Sequence, residues 1–259
     1  MLYIAIVSHG HFEIINELNC ISKLSALDDV QIIVKDNVGE IKLKEYCKKY
    51  NIMYFDDKKG LGFGANNNFI FNKICHDAND NDYFLVMNPD VFIECDELLK
   101  FKKNIDTNDY SCVTINLYKD YCYKQFDNAI RKFPTLLTFI KSFLFGINDS
   151  IEDKLSFDKI QEIEWCAGSF IAFDIKTYRS LGGFDEKYFM YCEDIDLCWR
   201  VKYIINKKIY CLSDIKAIHL ARFNNRKMLS KHFFWHVKSI MIFLSKTYMS
   251  KYFRGQSNG

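Results

Sequence analysis

The residues best suited to chemistry lie in Tyr188-Phe189-Met190-Tyr191-Cys192-Glu193-Asp194-Ile195-Asp196-Leu197-Cys198-Trp199-Arg200. An aromatic run enters two adjacent carboxylates, and a helical pattern begins there. Carboxylates at a helix N-terminus sit in the positive end of the macrodipole. One of such a pair can take a proton from a hydroxyl while its neighbour organises a cation or a sugar. Plain N-terminal capping with an Asp196–Arg200 i,i+4 pair also accounts for the charges, though not for the aromatic approach. The dipole further predicts a lowered pKa, hence a weak base and late proton transfer.

Two other stretches read as ligand sites. Tyr83-Phe84-Leu85-Val86-Met87-Asn88-Pro89-Asp90 is an apolar strand ending in a carboxylate, the hard oxygen donor that a divalent ion on a diphosphate requires. A simple turn aspartate after proline is the alternative. Gly60-Leu61-Gly62-Phe63-Gly64-Ala65-Asn66-Asn67-Asn68 joins a strand to a helix. Its amides suit phosphate or ribose oxygens, and an ordinary glycine turn with an asparagine cap fits equally. The G-x-G-x-G spacing after the third strand is not a dinucleotide fingerprint.

These residues need a scaffold, and the hydrophobic pattern supplies one. Leu2–Val7, Val30–Lys35, Ile52–Phe55 and Tyr83–Met87 read as buried strands, with helical spacing at Glu13–Leu24, Ile41–Tyr50 and Ala65–Cys75 between them. Such alternation predicts an α/β fold with a mostly parallel sheet covered by helices, and ligands bind outside the carboxyl ends of its strands. Those ends fall at Ser8, Asp36, the Gly60–Gly64 turn and Asn88-Pro89-Asp90. From Asp90 to Glu164 the pattern reads as helical and irregular. Beyond it lie a strand at Ser169–Phe173, helices at Asp174–Leu181 and Asp194–Ile205, and a strand at Lys208–Leu212.

Composition sets limits. The 259 residues are 49% hydrophobic, 26% charged and 16% aromatic, with only two prolines, as a packed globular chain requires. Ten cysteines are scattered without a CxxC pair, so reduced core thiols are expected rather than zinc or disulfides. The start lacks a basic leader, and no apolar run reaches the roughly 18 residues of a membrane span, so a cytoplasmic location is expected. The net charge of +2 hides a skew: Arg222 to Arg254 contains many Lys and Arg and no Asp or Glu. A basic helix of this kind can lie in a lipid headgroup layer or pack its apolar side on the domain, and the two are compatible. No nucleic-acid-binding motif accompanies it.

Taken together, the motifs resemble the family 2 glycosyltransferases of GT-A fold, and within them bacterial O-antigen rhamnosyltransferases. The resemblance rests on Ile6-Val7-Ser8-His9-Gly10-His11, Asp36-Asn37, Gly62 to Asn68, Asn88-Pro89-Asp90 and Arg131-Lys132-Phe133-Pro134. It continues through Trp165-Cys166-Ala167-Gly168-Ser169-Phe170, Tyr188 to Cys198 and Ala217-Ile218-His219. It implies a GT-A domain over 1–221, with a nucleotide-sugar half (1–92) and an acceptor half (93–221), and a basic amphipathic helix and tail (222–259).

The resemblance also implies roles. Ser8, Asp36, Gly62, Gly64, Asn66, Asn88 and Asp90 would line the donor pocket. Trp165, Gly168, Tyr191 and Arg200 would face the acceptor. Asp194 would be the catalytic base with Glu193 beside it, and Asp90 and His219 would hold Mg2+ or Mn2+. The first acidic position of the metal motif is Asn88 here, which leaves a lean ligand set. By itself His219 reads equally as a core or surface histidine. The implied reaction is inverting transfer of L-rhamnose from dTDP-L-rhamnose to an undecaprenyl-diphosphate-linked N-acetylglucosamine acceptor, at the inner face of the cytoplasmic membrane. A nucleotidyltransferase would need a lysine-bearing phosphate loop that Ser8-His9-Gly10-His11 lacks. A non-catalytic sugar-nucleotide or glycolipid binding module is the other alternative, and the Glu193-Asp194 pair weighs against it.

Overall fold

The computed structural model describes residues 1–221 and 231–256. The first part alternates as the pattern predicts: β1 (Leu2–Ser8), α1 (Phe12–Leu18), α2 (Cys20–Leu24), β2 (Val30–Asp36), α3 (Ile41–Lys49), β3 (Met53–Phe55), α4 (Phe63–Ile74) and β4 (Tyr83–Met87). One expected helix, Glu13–Leu24, is broken in two. Asn19 adopts a left-handed φ of 46° and serves as the C-cap of α1 and the N-cap of α2.

Next come β5 (Val91–Phe92), α5 (Cys95–Thr107), β6 (Cys112–Tyr118), β7 (Ile130–Arg131), α6 (Leu136–Phe145), β8 (Ile160–Ile163) and β9 (Trp165–Cys166). The chain continues with β10 (Phe170–Asp174), α7 (Ile175–Ser180), α8 (Glu193–Tyr203), β11 (Ile209–His219) and α9 (Lys231–Gln256). Several strands correct the sequence expectation, β6 and β11 most, with the short β5, β7 and β8 also falling in the stretch read as helical and irregular. β6 lies inside the stretch read as helical and irregular. β11 does not stop at Leu212 but runs on through a register shift to His219.

The main sheet has nine strands in the order β3-β2-β1-β4-β10-β6-β11-β5, with β8 on β11. Strands β3, β2, β1 and β4 are parallel, as βαβ crossovers require. The second half is mixed, since β10 runs antiparallel to both β4 and β6. β7 and β9 form a separate ribbon. Apolar side chains fill both faces of the sheet: Leu2, Ile4 and Ile6 on one, Tyr3, Ala5 and Ile33 on the other. Register pairs Ser8 with Asp36, so the carboxyl ends of β1 and β2 lie side by side. His219 pairs with Val91, next to Asp90. The topology thus gathers residues from the whole chain along one edge.

Candidate active site

At the β1 and β2 ends the polar groups are occupied by the chain itself. Asp36 is fully buried and accepts from the amides of Val38, Gly39 and Glu40 and from the Tyr54 hydroxyl, at 2.6–2.9 Å. Burial would raise its pKa, but those four donors hold it below the usual carboxylate range. The Ser8 hydroxyl donates to Glu40 and accepts from the His11 amide. Asn37 exchanges hydrogen bonds in both directions with the Leu61 backbone. Ser8 and Asp36 therefore shape the loop walls at the strand ends.

The glycine turn works by close approach. A Cβ on Gly62 would overlap the Phe189 carbonyl oxygen, and one on Gly64 would lie 2.6 Å from the Phe184 Cβ. The Phe63 amide at the start of α4 donates to that Phe189 carbonyl at 3.0 Å, so it is not open to phosphate. Asn66 closes the turn through bonds to the carbonyls of Leu61 and Gly62, while its Oδ1 is buried without a partner among the described residues. These glycines bring α4 against the segment that leads to the carboxylate pair.

That segment is strained where it meets α8. Tyr191 and Cys192 both take left-handed φ values, 71° and 63°, uncommon for residues with a Cβ. They turn the chain so that Glu193 and Asp194 occupy the first turn of α8. Asp194 accepts from the Gly168 amide at 3.1 Å and from the Ile195 amide at 2.8 Å. A Cβ on Gly168 would lie 2.8 Å from the Phe63 ring, so glycine lets this strand edge reach Asp194. Glu193 is buried, and its Oε2 has no partner among the described residues.

The electrostatics reverse the dipole expectation. Burial raises the Asp194 pKa to about 6, the Gly168 amide offsetting only part of the rise and Arg131 contributing a smaller lowering. Glu193 is pushed well up by burial and by the neighbouring Asp194 charge. Desolvation of two adjacent carboxylates outweighs the helix dipole here. The predicted lowered pKa is therefore overturned, and with it the argument for late proton transfer. A carboxylate near pH 6 is a competent base at neutral pH.

The second cluster centres on His219. Its Nε2 lies 3.4 Å from Asp90 Oδ1, and its Nδ1 lies 3.0 Å from Asp127 Oδ2. Asn88 Nδ2 is 3.4 Å from the same Nε2. Burial would lower the imidazole pKa, but the two carboxylates raise it to about 9. Among the described residues no group of three or more His, Cys, Asp or Glu is set to hold a metal. Asp90 and His219 nonetheless fit part of a divalent shell: a carboxylate oxygen and an imidazole nitrogen converge, and Asp127 fixes the far ring nitrogen as outer-shell carboxylates do. Asp127 went unnoticed in the sequence because its partner lies 92 residues away.

Two acceptor-side expectations change. Arg200 is buried and spends its guanidinium inside, with Nε on Asp196 at 2.7 Å, Nη1 on the Leu181 carbonyl and Nη2 on the Gly183 carbonyl. It braces the Gly182-Gly183 loop and is not turned to an acceptor. Trp165 is also buried, its Nε1 donating to the Lys132 carbonyl, while the Arg131 guanidinium stacks over its ring. Arg131 thus joins the site, and its signal was the Arg131-Lys132-Phe133-Pro134 motif.

Tyr191 faces α9. Its hydroxyl is 3.0 Å from His232 Nδ1, and its ring stacks on His236. The C-terminal helix therefore packs on the domain, with Ile240, Phe243 and Leu244 buried and Lys246 bonded to Asp185 and Asp196. Basic residues Arg226 and Lys227 lie outside the described residues. No helix among the described residues is long and apolar enough to cross a membrane.

A parallel first half of the sheet, an antiparallel strand at its border and a carboxylate pair opening a helix match the GT-A architecture of glycosyltransferases. The chain belongs to glycosyl transferase family 2, whose model matches residues 14–169. It is 38% identical over 249 residues to the rhamnosyltransferase WbbL of Escherichia coli strain K12, covering 95% of this chain and 93% of that one. A shorter likeness, 36% over 83 residues, links it to the N-acetylglucosaminyl-diphospho-decaprenol L-rhamnosyltransferase of Mycobacterium tuberculosis, covering 32% of this chain and 27% of that one. Among solved structures, the mannosyltransferase PcManGT of Pyrobaculum calidifontis, bound to GDP-Man and Mn2+, superposes with a TM-score of 0.57 at 12% identity. That match covers 86% of this chain and 58% of the other. The protein is a glycosyltransferase, and the motifs that suggested it span the family-model match and continue beyond it.

Proposed function

We propose that this glycosyltransferase moves L-rhamnose from dTDP-L-rhamnose to a hydroxyl of an N-acetylglucosamine carried on a polyprenyl diphosphate, with inversion. The sugar is supported by the likeness to WbbL and to the mycobacterial enzyme, both named for rhamnosyl transfer, and the acceptor by the name of the mycobacterial enzyme alone. The reaction itself is supported by one observation above others: a half-buried Asp194 whose pKa is lifted to about 6 beside the Gly168 amide. Asp194 takes the proton of the acceptor hydroxyl. The acceptor oxygen then forms its bond to the anomeric carbon as the bond from that carbon to the diphosphate oxygen breaks. The nucleoside diphosphate leaves with the electron pair.

Glu193, whose carboxyl is pushed well up by burial and by the Asp194 charge, favours its neutral form beside its partner. Asp90 and His219 would hold Mg2+ or Mn2+, which would neutralise charge on the leaving diphosphate. Residues 1–92 supply the donor walls and 93–221 the acceptor side. Membrane-peripheral action at the cytoplasmic face follows from an acceptor anchored in lipid.

The test incubates the purified protein and either cation with a panel of nucleotide sugars and a lipid-diphosphate N-acetylglucosamine, following product mass. A deoxyhexose added only from the thymidine donor, and lost in Asp194→Asn, is the expected result. Transfer from a different donor would discard rhamnose. Full turnover in Asp194→Asn would discard the base.

A further inference from the structure

The outer surface of α9 and the neighbouring α6 carry an apolar face that no part of the described chain covers. On α6, Leu137, Leu144 and Phe145 are each at least 68% exposed, and on α9, Phe234 and Met241 are at least 61% exposed. Leu137 and Leu144 lie two turns apart on one side of α6, and Phe234 and Met241 are spaced likewise on α9. The two helices adjoin where the buried Phe139 of α6 meets the His236 ring edge-on. Solvent-facing leucines and phenylalanines grouped across two helices mark a docking surface rather than scattered exposure.

Charge says what docks there. Lys141 on α6 is paired with Asp149 at 2.7 Å, so among the described residues the positive charge beside these side chains comes from α9. Lys231 and Lys238 are exposed beside Phe234 and Met241. From Arg222 to Arg254 the sequence contains no acidic residue. A partner must therefore be apolar beneath an anionic skin. A second copy docked through the same face would set lysine against lysine.

We propose that the α6–α9 face is a bilayer-docking platform that seats the enzyme on anionic lipid headgroups, with α6 inserted and α9 lying along the surface. The proposal rests on the lipid-linked acceptor reading and adds the element that meets the lipid. The sequence pointed to the basic C-terminal segment, whereas α6 offers apolar side chains more exposed than those of α9. The position suits delivery. Arg131, whose charge acts on Asp194, lies just before α6 in the chain, and His236 of α9 stacks on Tyr191, in the turn that presents the carboxylates. A lipid diphosphate leaving the headgroup layer at this platform would emerge at the acceptor side.

The test is co-sedimentation of the full chain with vesicles of phosphatidylglycerol and phosphatidylcholine. The wild-type protein should bind, and Leu137→Glu/Leu144→Glu should lower the partition coefficient by roughly tenfold or more, since each charge must enter the interface. Phe234→Glu on the other helix should weaken binding independently. Melting temperature and nucleotide binding should stay at wild-type values, which separates lost docking from lost folding. Vesicle binding unaffected by all of these substitutions would overturn the platform. So would a wild-type dimer that the α6 variant converts to monomer, because the covering partner would then be a second copy. Transfer to a short-chain, water-soluble acceptor separates the two readings. Equal rates in wild type and variant support both, and no transfer by either protein, with vesicle binding still dependent on α6, removes the acceptor reading and keeps the platform.

Discussion

The parallel first half of the sheet and the carboxylate turn treat their polar atoms in opposite ways. At the end of β2, Asp36 receives four donors, and Asn37 is bonded in both directions to the Gly60–Gly64 turn. At the start of α8, Asp194 has only two amides and Glu193 Oε2 has no partner among the described residues. The first carboxylate is held below its ordinary pKa and the second is pushed above it. A saturated carboxylate fixes shape, while an under-satisfied one remains available to take a proton.

The sharpest way to break this comparison is Asp194→Asn. Loss of the proposed base should lower kcat by about 100- to 10,000-fold while nucleoside-diphosphate binding, measured by calorimetry, stays intact. A comparable loss on Asp36→Asn with unchanged stability would erase the distinction. Next comes Arg200→Ala, which strips the buried Asp196 of one partner and frees two carbonyls. It should lower stability by roughly 3 kcal/mol in denaturant titrations and leave the acceptor KM of the remaining folded enzyme unchanged. A selective rise in acceptor KM would return Arg200 to the acceptor site.

Stability against pH should show the two aspartates with opposite signs. The folded-state pKa of Asp36 is depressed, so its contribution is present above about pH 4, the unfolded value, and is lost as pH falls through the lower folded value. Asp36→Asn should therefore destabilise by about 1–3 kcal/mol at neutral pH and by less in acid. Asp194 has a raised folded-state pKa, so its ionisation costs stability increasingly from about pH 4 to 6. Asp194→Asn should make the protein more stable at pH 7, by up to about 3 kcal/mol, with the gain gone near pH 4. The smallest effect expected is on the pH profile: the acidic limb of kcat/KM should have its midpoint near 6, the Asp194 value.

Much of the first half was legible because each strand is a short apolar run closed by a polar residue. Ser8 and Asp36 end β1 and β2 as their types announced. β6 escaped because all seven of its residues are buried, so no alternation distinguishes it and Thr114 and Asn116 interrupt the apolar pattern. The Thr114 hydroxyl is satisfied by the Phe170 carbonyl on β10. Asp127 has no local signal at all, since its role depends on a strand that arrives much later. The direction of the Asp194 shift was missed for a related reason: the dipole is visible in sequence, but the packing that excludes water from the turn is not. Arg200 was misread toward the acceptor because sequence reveals its i,i+4 partner but not the carbonyls of Leu181 and Gly183.

The clasp between α9 and the strained turn bears on how the enzyme comes to life during synthesis. Ser239 donates to the Met190 carbonyl, Trp235 stacks on Phe189, and Lys246 reaches the buried Asp196 on α8. All three side chains emerge from the ribosome well after Glu193 and Asp194. A nascent chain that already carries the sheet described above still lacks the brace for the turn that presents Glu193 and Asp194. Activity should therefore switch on only once α9 has emerged and closed over the turn.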